Sequence, residues 1–214
     1  MRKIIPSLIA KSQRELNQRF AKVGKHFGVF QLDIMDGRFV KNKSFMFNFK
    51  LPKNKKYEAH LMIENPLKWI EKNWKKADVI IFHIESCKSH EEVAEILEFL
   101  KSKKKKIGIA INPETNAREI LQYKDAVNKI LVLTVHPGKY GSRFIPQTLK
   151  KIKEIRKMKR KIAIEVDGGI NEETIRYATN AGADFFVVGS YLQKSKNPEG
   201  TANEMARIIS KRLK

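Results

Sequence analysis

Eight short runs rich in Val, Ile and Phe, separated by longer stretches of helical period, limit what this chain can become more than any other feature. The runs cover 4–7, 29–34, 57–62, 79–83, 106–111, 129–135, 162–166 and 185–188. Between and after them, helical stretches cover 13–27, 66–75, 90–100, 117–123, 146–158, 172–180 and 201–213. A strand that hands over to a helix cannot make a tight hairpin with the next strand, so the two return parallel in one sheet. A closed (β/α)8 barrel and an open doubly wound sheet both satisfy this alternation. With 214 residues, 42% of them hydrophobic, the chain can fill one large core and is short for two.

The punctuation agrees with the periods. Ser89 precedes Glu91-Glu92 and Asn171 precedes Glu172-Glu173, placing side-chain oxygens and negative charge where a helix start exposes N–H groups. Gly24, Gly28 and Gly182 stand where helical stretches give way to strands, as helix C-caps and tight turns require.

Several classes are excluded or disfavoured. A single cysteine, Cys87, allows no intrachain disulfide and no thiolate cluster, which suits a reducing cytoplasm. The apolar start from Ile4 to Ala10 is broken by Pro6 and Ser7 and is too short for a signal peptide, and no run is long enough to span a membrane. The net charge of +21 would attract polyanions, phosphorylated metabolites or an anionic surface. Its lysines are scattered over most helical stretches, with one dense run at Lys101 and 103–106, and lack interleaved aromatics. They read as a solvated surface rather than a nucleic-acid footprint.

In a barrel, working groups collect at the C-terminal ends of strands. Here those places hold Ser7, then Gln31 and Asp33, His60, His83 with Glu85, Asn112, His136, Asp167, and Gly189-Ser190. Asp33 and Asp167 sit in otherwise apolar strands, where an unpaired carboxylate is costly unless a cation or a catalytic duty holds it. His60 can bring an imidazole to the same cation. Three glycine elements, Pro137-Gly138 with Gly141-Ser142, Gly168-Gly169 and Gly189-Ser190, follow the last three strands, where barrels commonly bind phosphate on backbone N–H groups.

With these segments placed, the sequence resembles the ribulose-phosphate 3-epimerase family from Pro6-Ser7 to Gly189-Ser190. The resemblance is carried by Leu32-Asp33-Ile34-Met35-Asp36-Gly37-Arg38-Phe39-Val40, His60-Leu61-Met62, His83-Ile84-Glu85, Asn112-Pro113-Glu114-Thr115, Thr134-Val135-His136-Pro137-Gly138 and Val166-Asp167-Gly168-Gly169-Ile170-Asn171. It implies an α/β fold, a single (β/α)8 TIM barrel over 1–214, and an isomerase that interconverts D-ribulose 5-phosphate and D-xylulose 5-phosphate in the pentose phosphate pathway. It further implies that Asp33 and Asp167 alternate as base and acid through an enediolate. One divalent ion of the Zn, Fe, Mn or Co class would be held by Asp33, His60 and Asp167. Met35 and Met62 would line the site, Ser7 and His60 would contact the substrate, and Gly138, Gly141, Gly168, Gly169, Gly189 and Ser190 would hold its phosphate. A cytoplasmic homo-oligomer, dimer or hexamer, is implied as well.

The pattern departs from the family at telling places. The family's fourth ligand is a histidine two residues before the first aspartate, and here that position is Gln31. A glutamine can offer only its carbonyl oxygen, which weakens the site or shifts it toward harder ions. Lys139, Tyr140 and Gly141 replace a phenylalanine and a double glycine in the loop after the sixth strand, so Tyr140 must point away from a phosphate there, and Lys139 could add a cation to it. His136 is a possible substitute ligand. These departures leave room for another ketose phosphate as substrate, or for a degenerate barrel that binds a phosphosugar or polyanion without turnover.

Overall fold

The computed structural model describes residues 3–138, 141–159 and 161–211. Lys139 and Tyr140, and the expectations placed on them, lie outside the described residues. Its strands are β1 (Ile4–Leu8), β2 (Val29–Asp36), β3 (Lys43–Ser44), β4 (Lys56–Met62), β5 (Val79–His83), β6 (Lys106–Ile111), β7 (Lys129–Leu133), β8 (Ala163–Asp167) and β9 (Phe185–Val188). Eight of these run parallel in the order β1-β9-β8-β7-β6-β5-β4-β2. Pairing of Ser7 with Gln31 and Leu8 with Leu32 joins β2 back to β1. That last pairing closes the barrel and settles the choice that periodicity left open. The ninth strand, β3, is an antiparallel addition to β2, with Met35 opposite Ser44. Two residues carry too little pattern to announce it.

Helices cover the outside: α1 (Gln13–Val23), α2 (Pro66–Asn73), α3 (His90–Ser102), α4 (Leu149–Met158), α5 (Thr174–Ala181), α6 (Ser190–Lys194) and α7 (Pro198–Lys211). The 117–123 stretch is a 3-10 helix closed by an Asn116–Glu119 capping box. Ser89 accepts the Glu92 N–H as expected of a cap, and Asn171 Oδ1 takes the N–H groups of Glu173 and Thr174. The first helix stops at Val23 rather than reaching residue 27, because Gly24 ends it. Gly182 has the left-handed φ of a C-cap, whereas Gly24 is right-handed and Gly28 is not among the positive-φ glycines. Gly24 is nonetheless the C-cap, its N–H bonded to the carbonyl of Phe20, and a Cβ there would also lie 2.4 Å from the Phe20 ring. The short α6 was not foreseen; it leaves β9 directly at Gly189.

Successive strand residues point to opposite faces. The outward set, including Phe30, Leu32, Ile34, Ile80, Phe82, Ile164 and Phe186, belongs to the main core beneath the helices. The inward set includes a small apolar cluster of Val79, Ile81, Ala110, Leu131 and Leu133. Ionisable residues lie on either side of this plug, and one of the two groups forms the candidate site.

Candidate active site

The inward alternation of β2 carries Gln31, Asp33 and Met35, and that of β4 carries His60 and Met62. Register places Asp33 beside His60 and Met35 beside Met62. On the opposite side, β8 ends with Asp167, whose backbone carbonyl accepts both the N–H (2.8 Å) and the hydroxyl (3.0 Å) of Thr134. Thr134 thereby ties the end of β7 to the residue that presents Asp167. The motif Thr134-Val135-His136 contains it, but a wholly buried threonine gives no sign in sequence of which carbonyl it will bind.

One cavity at this end of the barrel is bordered by Ser7, Asp33, Met35, His60, Met62, Gly138, Gly141, Asp167, Gly168, Gly169, Gly189 and Ser190. The two aspartates, His60, Ser7, both methionines and the glycine elements expected to work together thus meet here, whereas Gln31 lies wholly buried beneath the cavity and His83, Glu85, Asn112 and His136 do not border it. Two glycines are required by geometry. Gly168 (φ 116°) leaves no room for a Cβ against Val135, and Gly169 (φ 64°) would press one against the backbone nitrogen of Phe144 at 2.7 Å. His136 does not belong to the cluster: its ring is mostly exposed and pairs with Glu114 at 2.9 Å, because it lies beyond the end of β7 in the loop.

At the cavity floor, His60 Nδ1 is 3.3 Å from Asp33 Oδ1 and 3.5 Å from Asp167 Oδ2. One ligand atom from each of these three residues lies within 4.8 Å of the other two, a spacing that can hold a metal ion. The Gln31 amide reaches all three: Nε2 donates at 2.7 Å to Asp33 Oδ1 and at 2.7 Å to Asp167 Oδ2, and lies 3.3 Å from His60 Nδ1. Its Oε1 is buried without a hydrogen-bond partner among the described residues. Two carboxylates enclosed side by side are costly, and a cation between them would relieve that cost. The residue set therefore fits a divalent ion.

The charges are tuned by enclosure. Burial pushes the Asp33 carboxyl up, and the neighbouring Asp167 carboxylate adds to the rise against hydrogen bonds from His60 and Gln31. Burial alone would lower His60, but hydrogen bonds and charge from Asp167 and Asp33 outweigh it and hold the ring up to about 9. His83, behind His60, is pushed down by burial. For Glu85, burial is outweighed by hydrogen bonds from His83, Asn112 and Thr115, which hold its carboxyl down. Sequence reasoning noted His83 and Glu85 at the end of their strand without giving them a role. An acid two residues after a histidine at a strand end was the available signal.

The chain is similar to known proteins. The Ribulose-phosphate 3 epimerase family matches residues 3–193. A ribulose-phosphate 3-epimerase of Schizosaccharomyces pombe is 30% identical over 218 residues, covering 98% of this chain and 94% of that protein. The cytoplasmic isoform of Oryza sativa subsp. japonica is 32% identical over 97% of this chain and 94% of its own length. Among solved structures, 3-hexulose-6-phosphate synthase from Salmonella typhimurium shares the fold with a TM-score of 0.68 at 16% identity, covering 98% of this chain and 99% of that one.

Proposed function

The chain belongs to the ribulose-phosphate 3-epimerase family and is an isomerase of the epimerase class, and on that premise we propose that it interconverts D-ribulose 5-phosphate and D-xylulose 5-phosphate with Asp33 and Asp167 as its acid–base pair. The observation that carries this reading is the convergence of both carboxylates, His60 and the Gln31 amide at the floor of one cavity whose rim holds Gly168, Gly169, Gly189 and Ser190.

Inverting a carbon beside a ketone needs a proton removed from one face and another delivered to the other. One aspartate takes the proton while the second gives one up, and their roles exchange in the reverse direction. The raised Asp33 carboxyl suits a group that must carry a proton for part of the cycle. Met35 and Met62 wall the reacting carbons with polarizable, apolar surface, which keeps water from competing for the proton. Ser7 contacts the sugar, and the phosphate rests on the glycine rim, including Gly138 and Gly141, far enough from the aspartates to leave the reacting carbons between them.

A divalent ion would be held by Asp33, His60 and Asp167, and Gln31 would offer it an oxygen only with the amide flipped, giving up the two Nε2 bonds to the carboxylates. Nε2 and Oε1 exchange places by a half-turn of the amide without changing its shape. When bound, the ion supplies positive charge to the oxygen anion that forms beside the reacting carbon. Two carboxylates and an amide oxygen make a harder donor set than one with a second imidazole, so the site is weaker or its selectivity moves from zinc toward manganese-class ions relative to a site with that imidazole. Residues 1–214 act as one barrel domain, in the cytoplasm, as a dimer or hexamer. Among the described residues no helix is long and apolar enough to cross a membrane.

The test is turnover. Purified protein loaded with zinc, iron, manganese or cobalt is expected to interconvert the two pentulose phosphates and, in heavy water, to exchange the hydrogen at the inverted carbon. No conversion and no exchange with any of the four ions would refute the reading.

A further inference from the structure

Behind His60, one buried and one partly buried side chain that the proposed chemistry does not use form a line leading away from the cavity. His60 Nε2 lies 2.9 Å from His83 Nε2, and His83 Nδ1 lies 3.1 Å from Glu85 Oε2. The two rings are nearly parallel, with centroids 5.1 Å apart, and both are almost completely buried. Phe39 packs on His83 at 4.9 Å.

The far end of the line is fixed by chemistry that allows only one direction of donation. Glu85 Oε1 takes the backbone N–H of Asn112 at 2.7 Å and the hydroxyl of Thr115. A backbone N–H can only donate, so this oxygen is an acceptor. Lys151 Nζ, bonded to the carbonyls of Asn112 and Thr115, adds positive charge nearby. A carboxylate so surrounded accepts a third donor on Oε2, and the atom there is His83 Nδ1. With its hydrogen on Nδ1, the enclosed neutral His83 ring leaves Nε2 bare. A bare nitrogen at 2.9 Å must be met by an N–H, so His60 carries a hydrogen on Nε2 whatever its charge. The nitrogen that remains to face Asp33 and Asp167 is Nδ1.

We propose that Glu85 is a positioning residue which, through His83, fixes the tautomer of His60 so that the Nδ1 lone pair points at the proposed ion site. The inference rests on reading Asp33, His60 and Asp167 as ion ligands. It assigns His83 and Glu85 a part in the reaction without contact to substrate. The histidine that binds the ion is oriented by an outer imidazole, which is oriented in turn by an outer carboxylate.

Nitrogen–proton correlation spectra of the histidine rings report each tautomer directly, and the full chain has only five histidines. In the wild-type protein, as purified and with zinc added, we expect the hydrogen of His83 on Nδ1 and a hydrogen of His60 on Nε2. In Glu85→Gln, the His83 tautomer is expected to become mixed or reversed, and zinc affinity to fall roughly 10–100-fold, as when other outer-shell partners are lost. A wild-type spectrum with the His83 hydrogen on Nε2 overturns the proposal without any variant. A folded Glu85→Gln with unchanged tautomers and zinc affinity within about twofold of wild type overturns it as well. Wild-type protein that binds no divalent ion overturns the ion site itself and this inference with it. Absence of epimerase turnover alone refutes only the functional reading, because neither the spectra nor the zinc titration depends on turnover.

Discussion

At the N-terminal end of the barrel, Glu58 and Glu165 share the ammonium of Lys129 at 2.6 Å each, whereas two residues further along the same two strands His60 and Asp167 meet Asp33 and the Gln31 amide. Both ends therefore bury two carboxylates around a nitrogen. The cations differ. Lys129 is part of the chain, almost fully buried, and Gly108 leaves room for its stem, since a Cβ there would lie 3.1 Å from Lys129 Cγ. At the C-terminal end the partners are an imidazole and a neutral amide, so positive charge arrives as a proton on His60 or as an ion. A built-in cation makes a structural lock, and an exchangeable one makes a place for chemistry.

The comparison breaks most visibly at the carboxylates of the cavity. Asp33→Asn and Asp167→Asn are each expected to lower kcat by roughly 10²–10⁴-fold while phosphosugar binding, followed by calorimetry, persists. A variant that retains turnover within about tenfold of wild type would remove that carboxyl from the acid–base pair. At the other end, Lys129→Met leaves two buried carboxyl groups, one of them charged, without their cation and should reduce the free energy of unfolding by about 3–5 kcal/mol in denaturant titrations. Adding Glu58→Gln and Glu165→Gln should recover most of that loss. A cost below about 1 kcal/mol for Lys129→Met would mean the cluster is not a lock.

The two ends were not equally legible. Asp33, His60 and Asp167 stood out because each follows an apolar run, and the strand order brought them together as the barrel register required. Lys129, Glu58 and Glu165 were passed over, since a single charged residue in or beside an apolar run reads as facing solvent until closure turns it inward. The eight parallel strands were legible within two or three residues because hydrophobic period is a local property. The β3 addition and the α6 turn depend on contacts between distant segments. Gln31 shows the limit most clearly. Its identity could be read as a lost imidazole, but its bridging of both aspartates could not.

That bridge gives the next contrast. Gln31→His places an imidazole beside the three proposed ligands and should raise zinc affinity by roughly tenfold or more relative to manganese, measured by competition with a chelating dye. The same affinity ratio in both proteins would show that residue 31 does not face the ion.

The smallest expected effect separates the two ends by pH. Burial, reinforced by the Glu58 carboxylate, pushes Glu165 up to about 8 despite the bonded Lys129 ammonium, so one proton keeps the three-residue cluster neutral. The unfolded chain releases that proton near the ordinary 4.5, so the folded state holds more protons between about 4.5 and about 8. This contribution to stability is complete below the lower value and is lost as pH rises through the upper one. Glu165→Gln removes it, and denaturant titrations across that window should show a shallower decline than wild type. His60, raised from 6.5 to about 9, contributes a loss of the same sign, but from the other end of the barrel. It should survive in Glu165→Gln, together with the loss from the raised Asp33 carboxyl, which has the same sign and begins above its ordinary 3.8. If the variant instead reproduces the full wild-type slope from 4.5 upward, the lysine-centred cluster holds no proton and the two ends differ less than their partners suggest.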